Sequence, residues 1–245
     1  MNAYEYKRMQ EAMRKHRQVL EQLGLTVQLV PGLTGWRQHI TGHHGVNPAL
    51  DPETNKDVTE ANSLWLKVTD NGGRIAAVIG LRVFEGHQKL AFLIRSGRYW
   101  WPMQHALDFD MQTLDLPPEM EGAEGRIATL GGLIVWDEWR GNRLGWHLTR
   151  MVRLASMLLF DTDHVCGFEL EAMHNANMPP YYGHVRSTKA VENLKLPDEP
   201  YPVSLFVTHS SRAETMARLD DDIAELDRIL GDFFNADPQI LRAAV

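Results

Sequence analysis

The sequence predicts a mixed α/β fold, in which helices pack on a central sheet. Three observations predict this class: a hairpin signal around DNGG at 70–73, a buried strand with a glycine pair at 126–136, and an amphipathic helix at 144–160. Of the 245 residues, 44% are hydrophobic and 23% are charged, which is enough apolar material for a sizeable core. We therefore expect one large domain with helical appendages.

The N-terminal third combines a helix with the first strands. Apolar residues recur at helical spacing over residues 1–24, and Gly24 is well placed to end that helix. The run LTVQLV at 25–30 predicts a strand. Two β-rich runs at 64–69 and 74–84 flank DNGG and predict the two strands of a hairpin.

The middle of the chain predicts an insertion followed by further strands. Residues 86–125, which include RYWWPM, predict an irregular segment. Within the strand at 126–136, the glycines at 131 and 132 predict a bulge, or a place where another chain segment comes close. Strands are also predicted at 165–173 and 201–210.

The tail predicts a long helix with one apolar seam. Between Met216 and Phe233 apolar residues recur in alternating steps of three and four. Such a seam packs on the body or on a second chain, so a homodimer through this helix is one of two alternatives. The chain thus divides into an N-terminal helix (1–24), a body (25–210) and a C-terminal helix (211–245).

Charge and cysteine content narrow the class of protein. The formal net charge of −7 argues against a general nucleic-acid binder, since phosphate neutralisation needs a basic face. The single cysteine, Cys166, allows no intramolecular disulfide, and we expect it to be a small buried apolar residue. We see neither a signal peptide nor a membrane span, and we expect a cytoplasmic protein without nucleic-acid or membrane partners.

The stretch WDEWRGNRLGWHLTR, residues 136–150, lies between the glycine-bearing strand and the following helix. The first N–H groups of a helix have no intrahelical acceptor, and the helix dipole favours an anion there. Glycine lets a phosphate approach the backbone, and Arg140 and Arg143 add charged donors. The turn therefore predicts an anion site. The alternative is a pair of solvated arginines with Gly145 serving close packing.

The segment LGGLIVWDEWRGNRLGWHL resembles the acyl-CoA binding motif of the GNAT superfamily of acyl-CoA-dependent N-acyltransferases. That motif follows a strand and has the form Q/R-x-x-G-x-G/A. Arg140 matches its first position and Gly145 its last, whereas Arg143 stands where the central glycine is usual. The segment FELEAMHNANMPPYYGHV is similar to the family's Asn-rich turn with a downstream tyrosine, although here the spacing is shorter and two prolines interrupt it.

The resemblance implies a mixed, mostly antiparallel sheet in which the strands at 126–136 and 165–173 splay apart beside the co-substrate. It also implies acetyl-CoA, or another acyl-CoA, as that co-substrate. Arg150 and Arg153 could reach its 3′-phosphate, or they could be surface charges. The residues expected to bind the co-substrate are Leu133, Ile134, Val135, Arg140, Gly141, Asn142, Arg143, Leu144, Gly145 and Asn177.

The activity implied is transfer of an acyl group, most simply acetyl, to a primary amine by direct attack in a ternary complex. Tyr182, or Tyr181, would then protonate the departing thiolate. Strict alternation in FELEAM places Glu169 and Glu171 on one face, where a carboxylate could take the amine proton. Glu171 is the first candidate base and Glu169 the second.

Aromatic and histidine residues outside the motif suggest two further roles. Trp36, Trp100 and Trp101 lie in the irregular regions that shape the acceptor pocket in the family, so they line a substrate site or belong to the core. His43 and His44 are adjacent, which makes them poor chelating partners, and we expect no metal.

Two other functions remain open at the sequence level. One is a non-catalytic GNAT-like module that binds CoA or a protein partner, which the arginine at 143 and the altered tyrosine turn motivate. The other, weaker, is a relative that makes acyl-homoserine lactones, which shares the fold but has a different N-terminal signature. The acceptor, a small molecule or a peptide amine, is not identified.

Overall fold

A computed structural model describes residues 1–40, 47–102, 111–195 and 201–235. The helices are α1 (Ala3–Gln22), α2 (Thr34–Ile40), α3 (Leu90–Arg95), α4 (Pro118–Glu121), α5 (Leu144–Phe160), α6 (Glu171–Asn175), α7 (Met178–Tyr181) and α8 (Arg212–Asn235). The strands are β1 (Leu25–Pro31), β2 (Ser63–Asp70), β3 (Ile75–Val83), β4 (Gln88–Lys89), β5 (Gln112–Thr113), β6 (Glu124–Gly125), β7 (Ile127–Val135), β8 (His164–Leu170), β9 (Arg186–Leu194) and β10 (Val203–Ser211).

Eight strands form one sheet in the order β1-β2-β3-β7-β8-β10-β9-β5, and β4 pairs with β6 in a separate ribbon. Every neighbouring pair in the large sheet is antiparallel except β7 and β8, which run parallel. The predicted mixed, mostly antiparallel sheet with flanking helices is therefore confirmed.

The parallel pair separates soon after it begins. Its register runs only from Ile127 opposite His164 to Thr129 opposite Cys166. Beyond that point residues 130–135 of β7 have no partner strand on the β8 side among the described strands. The splayed arrangement that the family resemblance implies is present in this chain.

A bulge in β7 lies at the point where the strands part. Opposite β3, Val78 pairs with Ile134 and Gly80 with Gly131, so β7 contains one extra residue. Gly132 has φ 58°, and a Cβ there would lie 2.1 Å from Trp36 Cζ2. The predicted bulge is confirmed, and the close chain segment is the fully buried indole of Trp36.

The two faces of the sheet carry separate cores. Val165 packs with α1, α5 and α8, whereas its neighbour Cys166 packs with α3, Tyr99 and Trp100 on the other face. Residues that alternate along a strand point to opposite faces, which explains the division. The insertion at 86–125 is thus partly regular, because it contains the β4–β6 ribbon together with α3 and α4, and these two helices contribute to the second core.

The C-terminal helix folds back onto its own chain. Its seam residues Leu219, Ile223 and Leu226 are at most 5% exposed, and α8 packs along α1. Of the two alternatives for this seam, the structure shows packing on the body. In the described ranges, the helices lack the combination of length and apolar character that spanning a membrane requires.

Near the site, one predicted strand was wrong in its boundary and one strand was not predicted. Strand β8 ends at Leu170 and not at residue 173, because Glu171 begins the short helix α6. The polar run at 186–194 forms β9, which the sequence did not indicate. That strand pairs with β10 over most of its length, so its conformation is set by the sheet and not by hydrophobic alternation.

Candidate functional site

A cavity of about 780 Å³ lies beside residues 133–135 of β7 and the start of α5. It is lined by Leu133, Ile134, Val135, Trp136, Asp137, Glu138, Trp139, Arg140, Gly141, Arg143, Leu144, Gly145, Met178, Tyr181 and Tyr182. Two parts of the chain that are distant in sequence therefore meet around it: residues 133–145, which lead from the bulged strand into α5, and the tyrosine turn at 178–182.

The turn that precedes α5 presents backbone donors to this cavity. A short 3-10 turn at Asp137–Trp139 leads into residues 140–143, and no side chain caps α5. Among the described residues, the first helical N–H with a backbone acceptor is that of His147, bonded to Arg143 O at 3.1 Å. The earlier N–H groups of the helix are thus available to an anion, at the positive end of the helix dipole.

Two glycines give this turn its shape. Gly141 has φ 89°, and a Cβ built on it would meet no atom within 4 Å, so its backbone is open to a ligand. Gly145 serves close packing instead: a Cβ there would lie 3.2 Å from the Tyr182 ring and 3.3 Å from Leu133. The helix start, the strand end and the tyrosine turn meet at Gly145, where a side chain would crowd both neighbours.

Arg143 occupies the position where the family motif has a glycine. It is the N-cap of α5 with φ 56°, a left-handed conformation that glycine adopts more readily. Its guanidinium donates to Glu225 of α8 at 2.6 Å and lies over the Trp146 ring at 4.7 Å from the ring centroid. The backbone at 143 therefore has a conformation that favours glycine, and the side chain is anchored on the C-terminal helix.

Both candidate tyrosines line the cavity, and two arginines of α5 hold their turn in place. Arg150 donates to Tyr181 O at 2.9 Å, and Arg153 donates to Tyr182 O at 3.0 Å and to Gly183 O at 2.8 Å. Burial raises the pKa of Tyr182, and the nearby Tyr181 and Glu169 raise it further. Tyr182 is therefore protonated at neutral pH, as a proton donor must be.

The two arginines correct an expectation about the 3′-phosphate. Arg153 is 3% exposed, and burial lowers its pKa to about 9. Its donors are directed at backbone carbonyls of the tyrosine turn, while Arg150 also pairs with Asp222 at 2.8 Å. Neither lies among the residues that line the cavity. Both are structural clamps in this chain and not surface charges.

The two candidate glutamates occupy different environments. Glu171 begins α6 and not a continuation of β8, so the expected strand face shared with Glu169 does not exist. The Glu171 side chain is exposed, and its carboxylate lies 3.8 Å from Lys189 Nζ. Glu169 is 5% exposed and accepts a hydrogen bond from Ser187 Oγ at 2.6 Å. Its pKa is raised by burial, against the lowering effect of Ser187 and His174. Neither glutamate lines the cavity.

The remaining predicted residues divide between the cavity and the core. The three tryptophans expected at the acceptor pocket are buried and belong to the core: Trp36, Trp100 and Trp101. None of them lines the cavity. Asn142 and Asn177 also lie outside its lining, although Asn177 shapes the tyrosine turn with φ 55°. Cys166 is fully buried, and burial raises its thiol pKa. His43 and His44 lie outside the described residues.

Sequence reasoning missed part of the lining. The four lining residues Trp136, Asp137, Glu138 and Trp139 were not among the expected site residues, although their place directly before Arg140 could have indicated them. Met178 had no signal in the sequence, because its contact with the cavity depends on how the turn at 176–183 folds back over α5.

The site depends on three features of the topology: a splayed parallel pair, a bulge in its first strand, and a donor-rich turn into the following helix. No family model and no curated protein matches the sequence of this chain.

Solved structures with a similar chain path include three acetyltransferases. NAA60 of Arabidopsis thaliana in complex with acetyl-CoA is 11% identical, with 77% of this chain and 99% of that chain covered at a TM-score of 0.47. Spermidine N-acetyltransferase of Vibrio cholerae is 9% identical, with 80% and 98% covered at 0.48. A GNAT-family acetyltransferase of Streptococcus pneumoniae is 10% identical, with 76% and 99% covered at 0.40.

Proposed function

We propose that this protein transfers an acyl group, most simply acetyl, from acyl-CoA to a primary amine in a ternary complex. One observation carries the proposal: a single cavity joins a donor-rich helix start, a stretch of β7 with no described partner strand on its β8 side, and a protonated tyrosine. These three features supply what the reaction needs, namely phosphate binding, alignment of an extended arm and a proton for the leaving thiolate.

The donor end of the site fits a CoA-type ligand by its chemistry. The free N–H groups at the start of α5 and the open backbone at Gly141 suit a pyrophosphate, and Arg140 adds an exposed cation beside them. Among the described strands, none pairs with residues 133–135 on the β8 side, so their backbone groups can pair with the amides of a pantetheine arm. Leu133, Ile134 and Val135 thus act through their backbone.

The proton transfers in this proposal involve Tyr182 and one glutamate. A neutral amine attacks the thioester carbonyl, the new C–N bond forms and the C–S bond breaks. The thiolate takes its proton from the Tyr182 hydroxyl, which burial keeps protonated. The amine proton passes to a carboxylate through water, and the tyrosine is reprotonated from solvent.

We assign the base role to Glu169 in place of Glu171. Glu169 lies close enough to raise the pKa of Tyr182, and its own pKa is raised by burial, which suits a group that must exchange a proton near neutral pH. Glu171 is exposed and faces Lys189. Glu169→Gln should therefore reduce kcat/KM and flatten its pH profile, whereas Glu171→Gln should change neither.

Release of free thiol from acetyl-CoA, measured across a panel of amines, tests the activity. We expect turnover with at least one amine and a loss of kcat in Tyr182→Phe of about 100-fold, the usual size of a proton-transfer contribution. Tyr201→Phe is the matched control, because Tyr201 is 77% exposed and does not line the cavity. Full turnover in the double variant Tyr181→Phe/Tyr182→Phe would overturn the assignment of the proton donor.

The second candidate is a CoA-binding module without catalysis. The observation in its favour is that neither glutamate lines the cavity. Saturable acetyl-CoA binding without thiol release from any amine would support this function and exclude the first.

A further inference from the structure

Two acidic residues of the C-terminal helix α8 pair with arginines of the cavity region: Arg143, which lines the cavity, and Arg150, which holds the tyrosine turn. Glu225 bonds Arg143 at 2.6 Å, and Asp222, three residues earlier and hence on the same face, bonds Arg150 at 2.8 Å. Trp146 fills the space between α5 and α8, where it packs against Leu226, and both guanidinium groups lie over its ring at 4.7 and 4.2 Å. This contact is more than the packing of one apolar face.

Glu225 acts on the turn that ends in Arg143. A left-handed backbone is sparsely populated for a residue other than glycine, and it persists when its surroundings fix it. Glu225 supplies that constraint, and it is itself held by Arg228 at 2.8 and 3.0 Å. Hydrogen bonds from Arg228 and Arg143 lower the pKa of Glu225 to about 2, so the carboxylate is charged at neutral pH.

Asp222 acts on the tyrosine turn through Arg150. The same guanidinium that pairs with Asp222 donates to Tyr181 O at 2.9 Å. Arg150 is largely buried, so its orientation depends on the few acceptors around it. Loss of Asp222 would leave that arginine free to turn away from the Tyr181 carbonyl.

We propose that Glu225 and Asp222 are positioning residues, through which α8 sets the geometry of the cavity from outside it. Glu225 fixes the anion-binding turn by way of Arg143, and Asp222 fixes the proton-donating tyrosines by way of Arg150. The inference rests on the function proposed above. It predicts two separable effects: Glu225 governs acyl-CoA affinity, and Asp222 governs the rate of the chemical step.

The test compares Glu225→Gln, Asp222→Asn and Asp221→Asn at temperatures well below each measured melting point. Asp221 is the matched control, since it is an exposed acidic residue of the same helix that forms no ion pair with any described residue. We expect Glu225→Gln to raise the KM and the Kd for acetyl-CoA about five-fold with little change in kcat. Asp222→Asn should lower kcat with little change in KM, and Asp221→Asn should change neither.

A second pair of variants shows whether Glu225 acts through Arg143. In an Arg143→Gly background the turn no longer needs an anchor, so Glu225→Gln should have no further effect on the Kd for acetyl-CoA. A full effect in that background, or equal values for Glu225→Gln and Asp221→Asn, would overturn the inference while leaving the proposed function intact. A wild-type protein that does not bind acetyl-CoA at all would overturn both.

Discussion

Gly132 and Arg143 share a left-handed backbone, at φ 58° and 56°, but the chain accommodates them in different ways. At Gly132 the side chain must be absent, because Trp36 occupies the space that a Cβ would fill. At Arg143 the side chain is present and anchored, on Glu225 and the Trp146 ring. A left-handed residue in this turn can thus be an arginine, provided that its side chain is anchored.

Replacement of Gly132 tests the close contact with Trp36. Gly132→Ala should lower the free energy of unfolding by about 2–4 kcal/mol, because the Cβ clashes with a buried indole in addition to the left-handed strain. Gly73→Ala is the matched control, since Gly73 has φ 79° and no atom within 4 Å of a Cβ, so it should cost only about 1 kcal/mol. Urea denaturation measures both, and equal costs would contradict the packing described for β7.

Two buried histidines make stability depend on pH. His16 and His147 share a hydrogen bond of 2.9 Å between their Nδ1 atoms. Burial lowers the pKa of His16 well below 6.5, and the nearby His147 and Arg150 lower it further. Burial also lowers the pKa of His147, to about 3, with smaller contributions from Arg143 and Arg150. The folded state keeps both neutral, while the unfolded chain binds protons below pH 6.5. Their contribution to stability is complete above that pH and is lost as the pH falls towards 3.

The resulting prediction concerns the difference in unfolding free energy between pH 7 and pH 5. Each buried neutral histidine should lower the free energy of unfolding of the wild type by about 2 kcal/mol between pH 7 and pH 5, because the same histidine is protonated in the unfolded chain at pH 5. His147→Asn removes one such group, so its loss of stability between the two pH values should be about 2 kcal/mol smaller. Identical losses in the wild type and the variant, measured by urea denaturation, would contradict the pKa shift.

Among the elements, α8 is the one whose role the sequence left undecided. Leu226 is fully buried against Val19 and Trp146, so Leu226→Ala should lower the free energy of unfolding by about 2–4 kcal/mol. Leu159→Ala, at a position 60% exposed, should change it by less than about 0.5 kcal/mol.

Sedimentation should give the same mass for Leu226→Ala and the wild type, and a loss of mass in the variant would show that the seam joins two chains.

The sequence predicted elements where local chemistry decides conformation, and it failed where distant contacts do. The bulge at Gly132 and the turn around Gly141 follow from what glycine permits, and both were predicted. The end of β8 was misplaced, because alternation in FELEAM fits a strand or the approach to a short helix equally well. The clamp of Arg150 on Tyr181 joins residues 31 apart and could not be read from either segment.

In the whole molecule, one cavity lies where the splayed strand pair, the start of α5 and the tyrosine turn meet, and α8 is anchored on its wall at Arg143. The elements that build it would serve any ligand with an anionic head and an extended arm. We propose that this ligand is acyl-CoA, held by the turn at 140–145.

Calorimetric titration of acetyl-CoA tests that claim most directly. We expect saturable one-to-one binding by the wild type, and this binding should weaken as salt is added, because phosphate recognition is electrostatic. The double variant Arg140→Ala/Gly145→Glu should lose it, since the new carboxylate would stand among the helix N–H groups and against Tyr182. No binding by the wild type at millimolar acetyl-CoA, or equal binding by a folded double variant, would contradict the account.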